Sequence, residues 1–476
     1  MASDRTVELI VQAWEALVGG AASPPPAPLV EITGIGGQLG SRLPVEDVAV
    51  ACVGAALMAA SALAARRGGS PVSAGLDRGV VAAAVRSERH FRRAGGSAGA
   101  GFAPLSRFWR AADGWVRTHA NYPWHRAALL SALGTSDDVD AIRAAMAERR
   151  AADVERDVFA AGGVAGAVRS VEAWRAHSQG RALADEPLVG HRRVGDAASR
   201  ARSAAGLPAS GVRVLDLTRV IAGPVCTRYL AALGADVLRL DPPHRPDMRP
   251  GDVADTLLGK RSAIVDLDSP AGLTELDRLL DRADVVVCGY RPGALERFGL
   301  AEEALAERHH GIVVVYLDAW GHTGPWGSRR GFDSIVQAPT GIALRESAEG
   351  DEPGVLPCQL LDHGTGYLAA AAALDGLFRQ TEEGGTHVRR VSLARTAVWL
   401  TSSPSPARPP AGDAAPPAGE QDVQRWLVTL DSAGGPVTAV APPGRLGGEP
   451  LEWPVPLTGY GTDPASWPSG PAGAQP

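Results

Sequence analysis

The sequence predicts an α/β fold in which a parallel sheet is covered by helices on both faces, with a smaller α+β domain placed amino-terminal to it. Three observations carry this. Short runs of Val, Ile and Leu recur at residues 213–217, 236–240, 263–267, 284–288 and 312–317, and runs that are apolar almost throughout suit strands buried on both faces. The segments between them have helical periodicity, as in Leu273 to Arg282, and alternation of strand with helix means a parallel sheet. Ahead of these runs, Phe108-Trp109-Arg110-Ala111-Ala112-Asp113-Gly114-Trp115-Val116 reads as a hairpin turning at Asp113-Gly114, followed by helical sequence over residues 141–159.

The remaining elements follow in chain order. Val48 to Ala65 is an alanine-rich apolar helix, followed by Gly68-Gly69, then Gly75-Leu76-Asp77-Arg78 and another apolar stretch. A similar order returns late in the chain: the alanine-rich helix Gly366 to Arg379, Gly384-Gly385, then Ser392-Leu393-Ala394-Arg395 and an apolar stretch. The echo reads as a degenerate internal duplication. Residues 401–420 are rich in Pro, Ala and Ser and cannot build a core, so they read as a linker. Beyond it, Gln424 to Val440 reads as a strand pair about Ala433-Gly434-Gly435, and the Pro- and Gly-rich tail as an extended arm. The expected division is residues 1–200 as an amino-terminal segment with the small domain, 206–400 as the sheet domain, 401–420 as linker and 421–476 as a carboxy-terminal segment, with the join at Arg192 to Gly206.

Composition narrows the function. A chain of 476 residues, 45% hydrophobic and 21% charged, is long enough for two or three domains with real cores. A formal net charge of -6 gives no electrostatic case for nucleic acid. Cys52, Cys226, Cys288 and Cys358 lack C-x-x-C spacing, which indicates neither a metal site nor a disulfide framework and fits a reducing cytoplasm. The amino terminus has an acid early and lacks a continuous apolar stretch, and the sequence is read as holding no run of about 18 apolar residues, so neither a signal peptide nor a membrane span is expected. Lysine occurs once, at Lys260.

In open parallel sheets, ligands sit beyond the carboxyl ends of the strands. The turns Ala222-Gly223-Pro224 and Gly289-Tyr290-Arg291-Pro292-Gly293 both fall at that edge. Asp362, in Leu361-Asp362-His363-Gly364-Thr365-Gly366, lies just before or at a helix amino terminus, where free amides and the helix dipole favour an ionised carboxylate by roughly 0.3–1 kcal/mol. An ionised aspartate is a potential nucleophile. The plainer reading is a helix cap, a role Asp often fills.

Several blocks, in order, resemble the class III CoA-transferases (the CaiB/BaiF type, with formyl-CoA transferase, carnitine CoA-transferase and α-methylacyl-CoA racemase). They are Val212-Arg213-Val214-Leu215-Asp216-Leu217 with Ala222-Gly223-Pro224, Leu233-Gly234-Ala235-Asp236-Val237, and Gly259-Lys260-Arg261-Ser262 with Asp266-Leu267 and Ser269-Pro270-Ala271-Gly272. Arg291 to Arg297, Gly321-His322-Thr323-Gly324-Pro325 and Gly331-Phe332-Asp333 complete the series. The resemblance is dense over residues 211–400 and implies a Rossmann-like sheet domain that moves CoA from an acyl-CoA to a carboxylic acid.

By that resemblance Asp362 is the catalytic residue, forming a covalent aspartyl intermediate, and Val220, Ile221, Ala222, Arg297 and Arg330 bind CoA. Glycine amides would hold the thioester oxygen, with Gly364 and Gly366 as candidates and Gly36-Gly37 as a more distant one. His363 reads as a solvated neighbour of the cap. CoA and acyl-CoA are substrates, no cofactor is permanently bound, no metal is called for, and neither nucleic acid nor membrane is a partner. The family also implies a homodimer.

Some positions depart from the pattern. Asp241 is followed by Pro242-Pro243 where a basic residue is usual, and Gly259 and Gly289 stand where the family carries asparagine. Phe332 occupies the position of the racemases' catalytic histidine, which argues against α-proton exchange. In ordinary members the small domain follows the sheet, whereas here it precedes it, so the chain reads as portions of two family units fused. The alternatives are an acyl-CoA racemase or isomerase of the same family, or a catalytically silent CoA-binding or partner subunit. A nicotinamide dehydrogenase would need a G-x-G-x-x-G turn that the first strand lacks.

Overall fold

A computed structural model describes residues 4–20, 30–68, 72–93, 101–201, 206–245, 247, 254–348, 352–404, 423–454 and 456–468. The main sheet has seven strands: β1 (Gly190–Val194), β2 (Arg213–Leu217), β3 (Asp236–Asp241), β4 (Arg261–Ile264), β5 (Val285–Cys288), β6 (Val313–Asp318) and β7 (Thr386–Ser392). They lie side by side as β4-β3-β2-β5-β6-β7-β1. All neighbours are parallel except β1, which runs antiparallel to β7.

This order has one reversal. The chain moves outward from β2 through β3 to β4, returns to β5 on the other side of β2, and then moves outward through β6 and β7. Leu217 pairs with Cys288, so Thr218 and Gly289 leave the sheet side by side and their loops diverge. That divergence opens the crevice in which doubly wound sheets hold ligands.

Successive residues of each strand point to opposite faces. Val214, Val237, Val285, Val287, Val313 and Val315 enter one core, while Leu215, Leu238, Leu240, Val286 and Val314 enter another. Each fully buried side chain of this size contributes about 1.5–3 kcal/mol over leaving it in water, which is why neither face tolerates polar alternation.

The helices that matter to the site are α1 (Asp4–Val18), α2 (Val45–Arg66), α3 (Ala222–Ala232), α4 (Pro270–Leu280), α5 (Leu360–Glu383) and α6 (Leu393–Ser402). The first core joins α1, α2, α3, α5 and α6 to one face of the sheet, and the second seats α4 on the other. α4 starts cleanly because the Ser269 side chain accepts from Gly272 N–H and Pro270 supplies a preset first turn. α5 propagates through Ala369 to Ala373 and stops at Gly384, whose φ of 62° is left-handed.

Several expectations change. Residues 48–65 carry no charge, and α2 is long and apolar enough to cross a membrane by length and composition, contrary to the sequence reading; in the structure it is packed against α5 inside the core. β4 ends at Ile264 rather than running to 267, because the Asp268 amide turns back onto the Asp266 side chain and Ser269 onto the Asp266 carbonyl. The hairpin pairs Ala111 with Gly114, so its loop is Ala112-Asp113. The helical stretch 141–159 is two helices, Val139–Ala147 and Ala151–Ala160. The chain breaks between them where Ala112 N–H takes the Arg149 carbonyl and Asp113 accepts from Ala151 N–H at 2.8 Å.

β1, from the segment assigned to residues 1–200, is the edge strand of the main sheet, and α1 and α2 share that sheet's core. The small sheet, Phe108–Ala111, Gly114–Thr118 and Ala165–Ala167, keeps a core of its own with the adjoining helices. The two alanine-rich stretches show the same order of helix, strand and capped helix: α2, Ala74–Asp77 and Arg78–Ala84 against α5, β7 and α6. In each, a side chain at the strand's end, Asp77 or Ser392, caps the following helix.

Toward the carboxyl terminus, Leu427–Leu430 and Val437–Val440 pair antiparallel and Arg92–Arg93 joins them as a third strand. The tail then runs along β4, where Thr462 bridges Ala263 and the buried Trp467 donates to the Leu279 carbonyl at 3.0 Å. It shields an edge that would otherwise present unpaired backbone groups. Of the expected linker 401–420, residues 405–420 lie outside the described residues, and 401 and 402 complete α6.

Candidate active site

The turn after β2 is held from below. Asp216, fully buried, accepts from Thr218 N–H at 3.0 Å, from Thr227 Oγ1 at 2.6 Å and from Lys260 Nζ at 2.9 Å. Lys260 also donates to the Pro224 carbonyl at 2.9 Å. The only lysine of the chain therefore fastens the strand to the first turn of α3. Burial brings its pKa down to about 8, with Asp216 acting in the opposite direction.

Val220 completes the turn with φ 66°, the single non-glycine residue with positive φ among the described residues. A β-branched residue in the left-handed region is strained, and such strain persists where surrounding contacts hold it. Here Val220 N–H donates to Asp247 Oδ2 at 2.9 Å. Asp247 is itself fixed by Tyr122 Oη at 2.9 Å and Arg239 Nη2 at 2.8 Å.

Above this turn, beyond the carboxyl ends of β2 to β6, lies a cavity of about 560 Å³, within the size range of small-molecule sites. Val220, Ala222, Arg297, Arg330 and Asp362 all line it; Ile221 is buried beside it and does not. Asp362 is the third residue of α5 and only 5% exposed. Its amide donates to Asp333 Oδ2 at 3.0 Å.

At the helix terminus, the surroundings of the Asp362 carboxyl disfavour its ionised form. Burial raises its pKa well above the carboxylate range, and the nearby Asp333 and Glu88 push it in the same direction. Asp333 is raised as well, chiefly by burial. Desolvation and two like charges thus act against the helix dipole, which favours the ionised form.

His363 is buried rather than solvated, and its Nε2 donates to Glu88 Oε2 at 3.1 Å. Burial alone would raise the Glu88 pKa, but the hydrogen bond and charge of His363 bring it below the usual value. Glu88 belongs to the amino-terminal segment, so that segment reaches the neighbourhood of Asp362.

The glycines expected to supply oxyanion donors are otherwise engaged. Gly364 and Gly366 lie inside α5, where amides serve the helix ladder. Gly366 is needed for packing: a Cβ there would meet the Ala222 carbonyl oxygen at 2.5 Å. Gly37 N–H donates to Glu46 Oε2 at 2.9 Å, away from the cavity.

Cations gather in the cavity. Arg219, Arg245, Arg291, Arg297, Arg329 and Arg330 line it. Arg219 lies 3.8 Å from Asp247, and Arg297 pairs with Asp268 at 2.8 Å while its side chain is 67% exposed. Arg330 has its pKa lowered by burial and by Arg291 and Arg245. Guanidinium groups in this arrangement suit phosphate and carboxylate oxygens. Asp318 at the end of β6 also lines the cavity, its carboxyl pushed up to about 7 by burial.

The opposite wall comes from the small domain: Tyr122, Trp124 and His125. Phe332 faces them, its ring stacked on His119 with centroids 3.7 Å apart. Sequence reasoning missed this wall, along with Asp333, Glu88, Arg219 and Arg245, whereas the turn carrying Tyr290 and Arg291 lines the cavity as its place at the sheet edge implied. A signal existed: in a chain with only 5% aromatic residues, His119-Ala120-Asn121-Tyr122-Pro123-Trp124-His125 concentrates rings between a hairpin and a helix.

Residues 209–437 match the family described as CoA-transferase family III. Among curated proteins, the chain is 34% identical over 208 residues to a probable fatty acyl-CoA transferase of Mycobacterium tuberculosis, covering 41% of this chain and 53% of that protein. It is 31% identical over 303 residues to an acyl-CoA transferase of Gibberella moniliformis, covering 59% and 53%. To the formyl-CoA:oxalate CoA-transferase of Afipia carboxidovorans it is 32% identical over 186 residues, covering 37% and 44%. A crystal structure of the Mycobacterium tuberculosis protein aligns with a TM-score of 0.39 at 33% identity, covering 41% of this chain and 56% of that one. The chain thus spans about half the length of the curated relatives it matches.

Proposed function

We propose, from the match of residues 209–437 to CoA-transferase family III, that the chain transfers CoA between an acyl-CoA and a carboxylic acid through a covalent intermediate on Asp362. The observation that carries the reading is that Asp362, at the start of α5, lines the same cavity as the strained Val220 turn and the arginine cluster. A nucleophile, a backbone turn at the switch point and phosphate-compatible cations are what a CoA thioester site requires.

The chemistry balances in four displacements. The Asp362 carboxylate attacks the thioester carbonyl, the C–S bond breaks, and CoA leaves as thiolate with a mixed anhydride formed. The thiolate attacks the aspartyl carbonyl and releases the donor acid as carboxylate, leaving an aspartyl-CoA thioester. The acceptor carboxylate displaces CoA thiolate from that thioester, and the thiolate then attacks the acceptor's acyl carbonyl, freeing the Asp362 carboxylate. Arg297, Arg291 and Arg245 would hold the phosphates of CoA, and Val220 and Ala222 its pantetheine through the backbone. Phe332 offers no base where the family's racemases carry one, and the His119 ring stacked on it is kept neutral by burial, its pKa about 3. That pairing favours transfer over α-proton exchange.

The test is exchange of labelled CoA between a panel of acyl-CoAs and free carboxylic acids. Transfer in the native protein that is lost in Asp362→Ala supports the reading. No transfer with any donor, despite CoA binding, would favour the silent-subunit alternative. A homodimer in the cytoplasm belongs to the same proposal, and sedimentation of the purified protein tests the assembly.

A further inference from the structure

The carboxy-terminal segment lies beyond the residues that match the family, yet it comes within one hydrogen bond of the residue that holds the Val220 turn. Its run along β4 is fastened at several points. Ser262 N–H donates to Asp463 Oδ2 at 2.8 Å, Gly461 N–H to Ser262 Oγ at 2.9 Å, and Arg261 Nη1 to the Ser466 carbonyl at 2.6 Å. With Trp467 buried against α4, these contacts fix where Tyr460 lies. The Tyr460 ring packs on the apolar cluster that includes Leu257 and Leu457, and the Arg239 guanidinium sits 5.7 Å from its centroid.

The Tyr460 hydroxyl accepts from the Asp247 main-chain N–H at 3.2 Å. Asp247 is where three parts of the cavity meet: its carboxylate accepts from Val220 N–H and from Tyr122 Oη, each at 2.9 Å, and Arg219 lies 3.8 Å away. Val220, Tyr122 and Arg219 line the cavity, whereas Asp247 and Tyr460 stand behind it. A β-branched residue does not hold a φ of 66° by its own preference, so the turn depends on Asp247 for that shape. Arg239 fixes the Asp247 side chain at 2.8 Å, and Tyr460 fixes its backbone.

We propose that Tyr460 is a positioning residue for the CoA site and that residues 457–467 act as a strap: docked on β4, they hold Asp247, which in turn holds the Val220 turn in the shape that receives CoA. The inference rests on the CoA-transferase reading and adds to it a control point outside the segment that matches the family. The strap itself touches no ligand. It raises affinity by keeping the turn preorganised, so that binding does not have to order it.

The test compares the native full chain with Tyr460→Phe, which keeps the ring beside Arg239 and removes the hydroxyl, and with Asp463→Ala, which loosens the strap at a distance from the cavity. Free CoA is titrated calorimetrically, and hydrogen exchange is followed by mass spectrometry on the peptide carrying the Val220 amide. The expected result for Tyr460→Phe is CoA binding weakened about three- to tenfold, the scale of one neutral hydrogen bond. Exchange at Val220 should quicken while β5 and β6 stay protected. Asp463→Ala should act in the same direction, and adding it to Tyr460→Phe should cost little further affinity, because both work through one link. Unchanged CoA affinity in Tyr460→Phe overturns the inference. A loss of affinity in which exchange rises equally throughout the sheet also overturns it, since Tyr460 would then serve the fold alone. Absence of CoA binding in the native protein would count against the transferase reading, whereas exchange at Val220 still upholds or overturns the link from Tyr460.

Discussion

The main-chain N–H of Asp362 donates to Oδ2 of Asp333 at 3.0 Å, so the residue proposed to attack a thioester is positioned by a second buried carboxyl. The hydrogen bond fixes the start of α5 against the Gly331-Phe332-Asp333 segment. The same proximity opposes ionisation of Asp362, since two carboxylates in a dry site cannot both be charged cheaply. The pair therefore both orients the proposed nucleophile and restrains it.

Stability should record that restraint. Asp362 has a folded pKa raised above its ordinary value of 3.8. Between those values the folded state binds more protons than the unfolded, so its contribution is fully present at low pH and is lost as pH rises through the folded pKa. Asp362→Asn, which cannot ionise, should be more stable than the native protein at neutral pH, by roughly 1.4 kcal/mol for each tenfold by which folding weakens the acid. The advantage should shrink toward pH 4. Thermal unfolding of both proteins across that range checks it, and a constant difference would contradict it.

Activity should follow the same proton. The acid limb of the pH–rate profile should rise above the ordinary carboxylate range, because in the proposed reaction only the ionised Asp362 attacks. Asp333→Asn removes the neighbouring charge while keeping an oxygen to accept the Asp362 amide. Glu88 and its partner His363 remain. The limb should therefore move to lower pH without disappearing, as read from kcat against pH; an unmoved limb would detach Asp333 from the titration.

Gly366 and the turn before α3 should be coupled through contact. An added Cβ would lie 2.5 Å from the Ala222 carbonyl oxygen and 2.8 Å from Val225 Cβ, and neither atom is the end of a flexible chain. Gly366→Ala is expected to cost about 1–3 kcal/mol as overpacking and to weaken CoA binding by displacing the Val220–Ala222 turn. Denaturant unfolding and CoA titration measure the two effects together.

Lys260 offers a prediction about scaffold rather than chemistry. Lys260→Met leaves Asp216 buried without its cation, and removing one partner of a buried pair costs about 3–5 kcal/mol. A loss that large should appear as a lowered urea midpoint. A change below about 1 kcal/mol would mean that the hydroxyl and amide donors of Thr218 and Thr227 satisfy Asp216 alone.

The sheet was legible because strands buried on both faces must be apolar throughout: the runs at 213–217, 236–240, 284–288 and 312–317 coincide closely with β2, β3, β5 and β6. β1 was hidden, since Gly190-His191-Arg192-Arg193-Val194 is an edge strand with exposed polar side chains and no apolar run. The Ala222-Gly223-Pro224 and Gly289-Tyr290-Arg291-Pro292-Gly293 turns could be placed at one sheet edge from pattern alone, and Asp362 at a helix start. The wall of Tyr122, Trp124 and His125 could not, because nothing local tells how a domain preceding the sheet in sequence folds back over its carboxyl edge. The upward push on the Asp362 pKa was invisible for a related reason. The helix dipole is local and visible in sequence, whereas Glu88 lies far away in the chain and meets Asp362 only through packing.

The most direct test is mass spectrometry of the protein incubated with acyl-CoA donors, succinyl-CoA among them, and quenched with hydroxylamine or borohydride. Peptide mapping should place the modification on Asp362 and find none in Asp362→Ala. A modification at another residue, or none under conditions in which labelled CoA is exchanged, would contradict an aspartyl intermediate at this position.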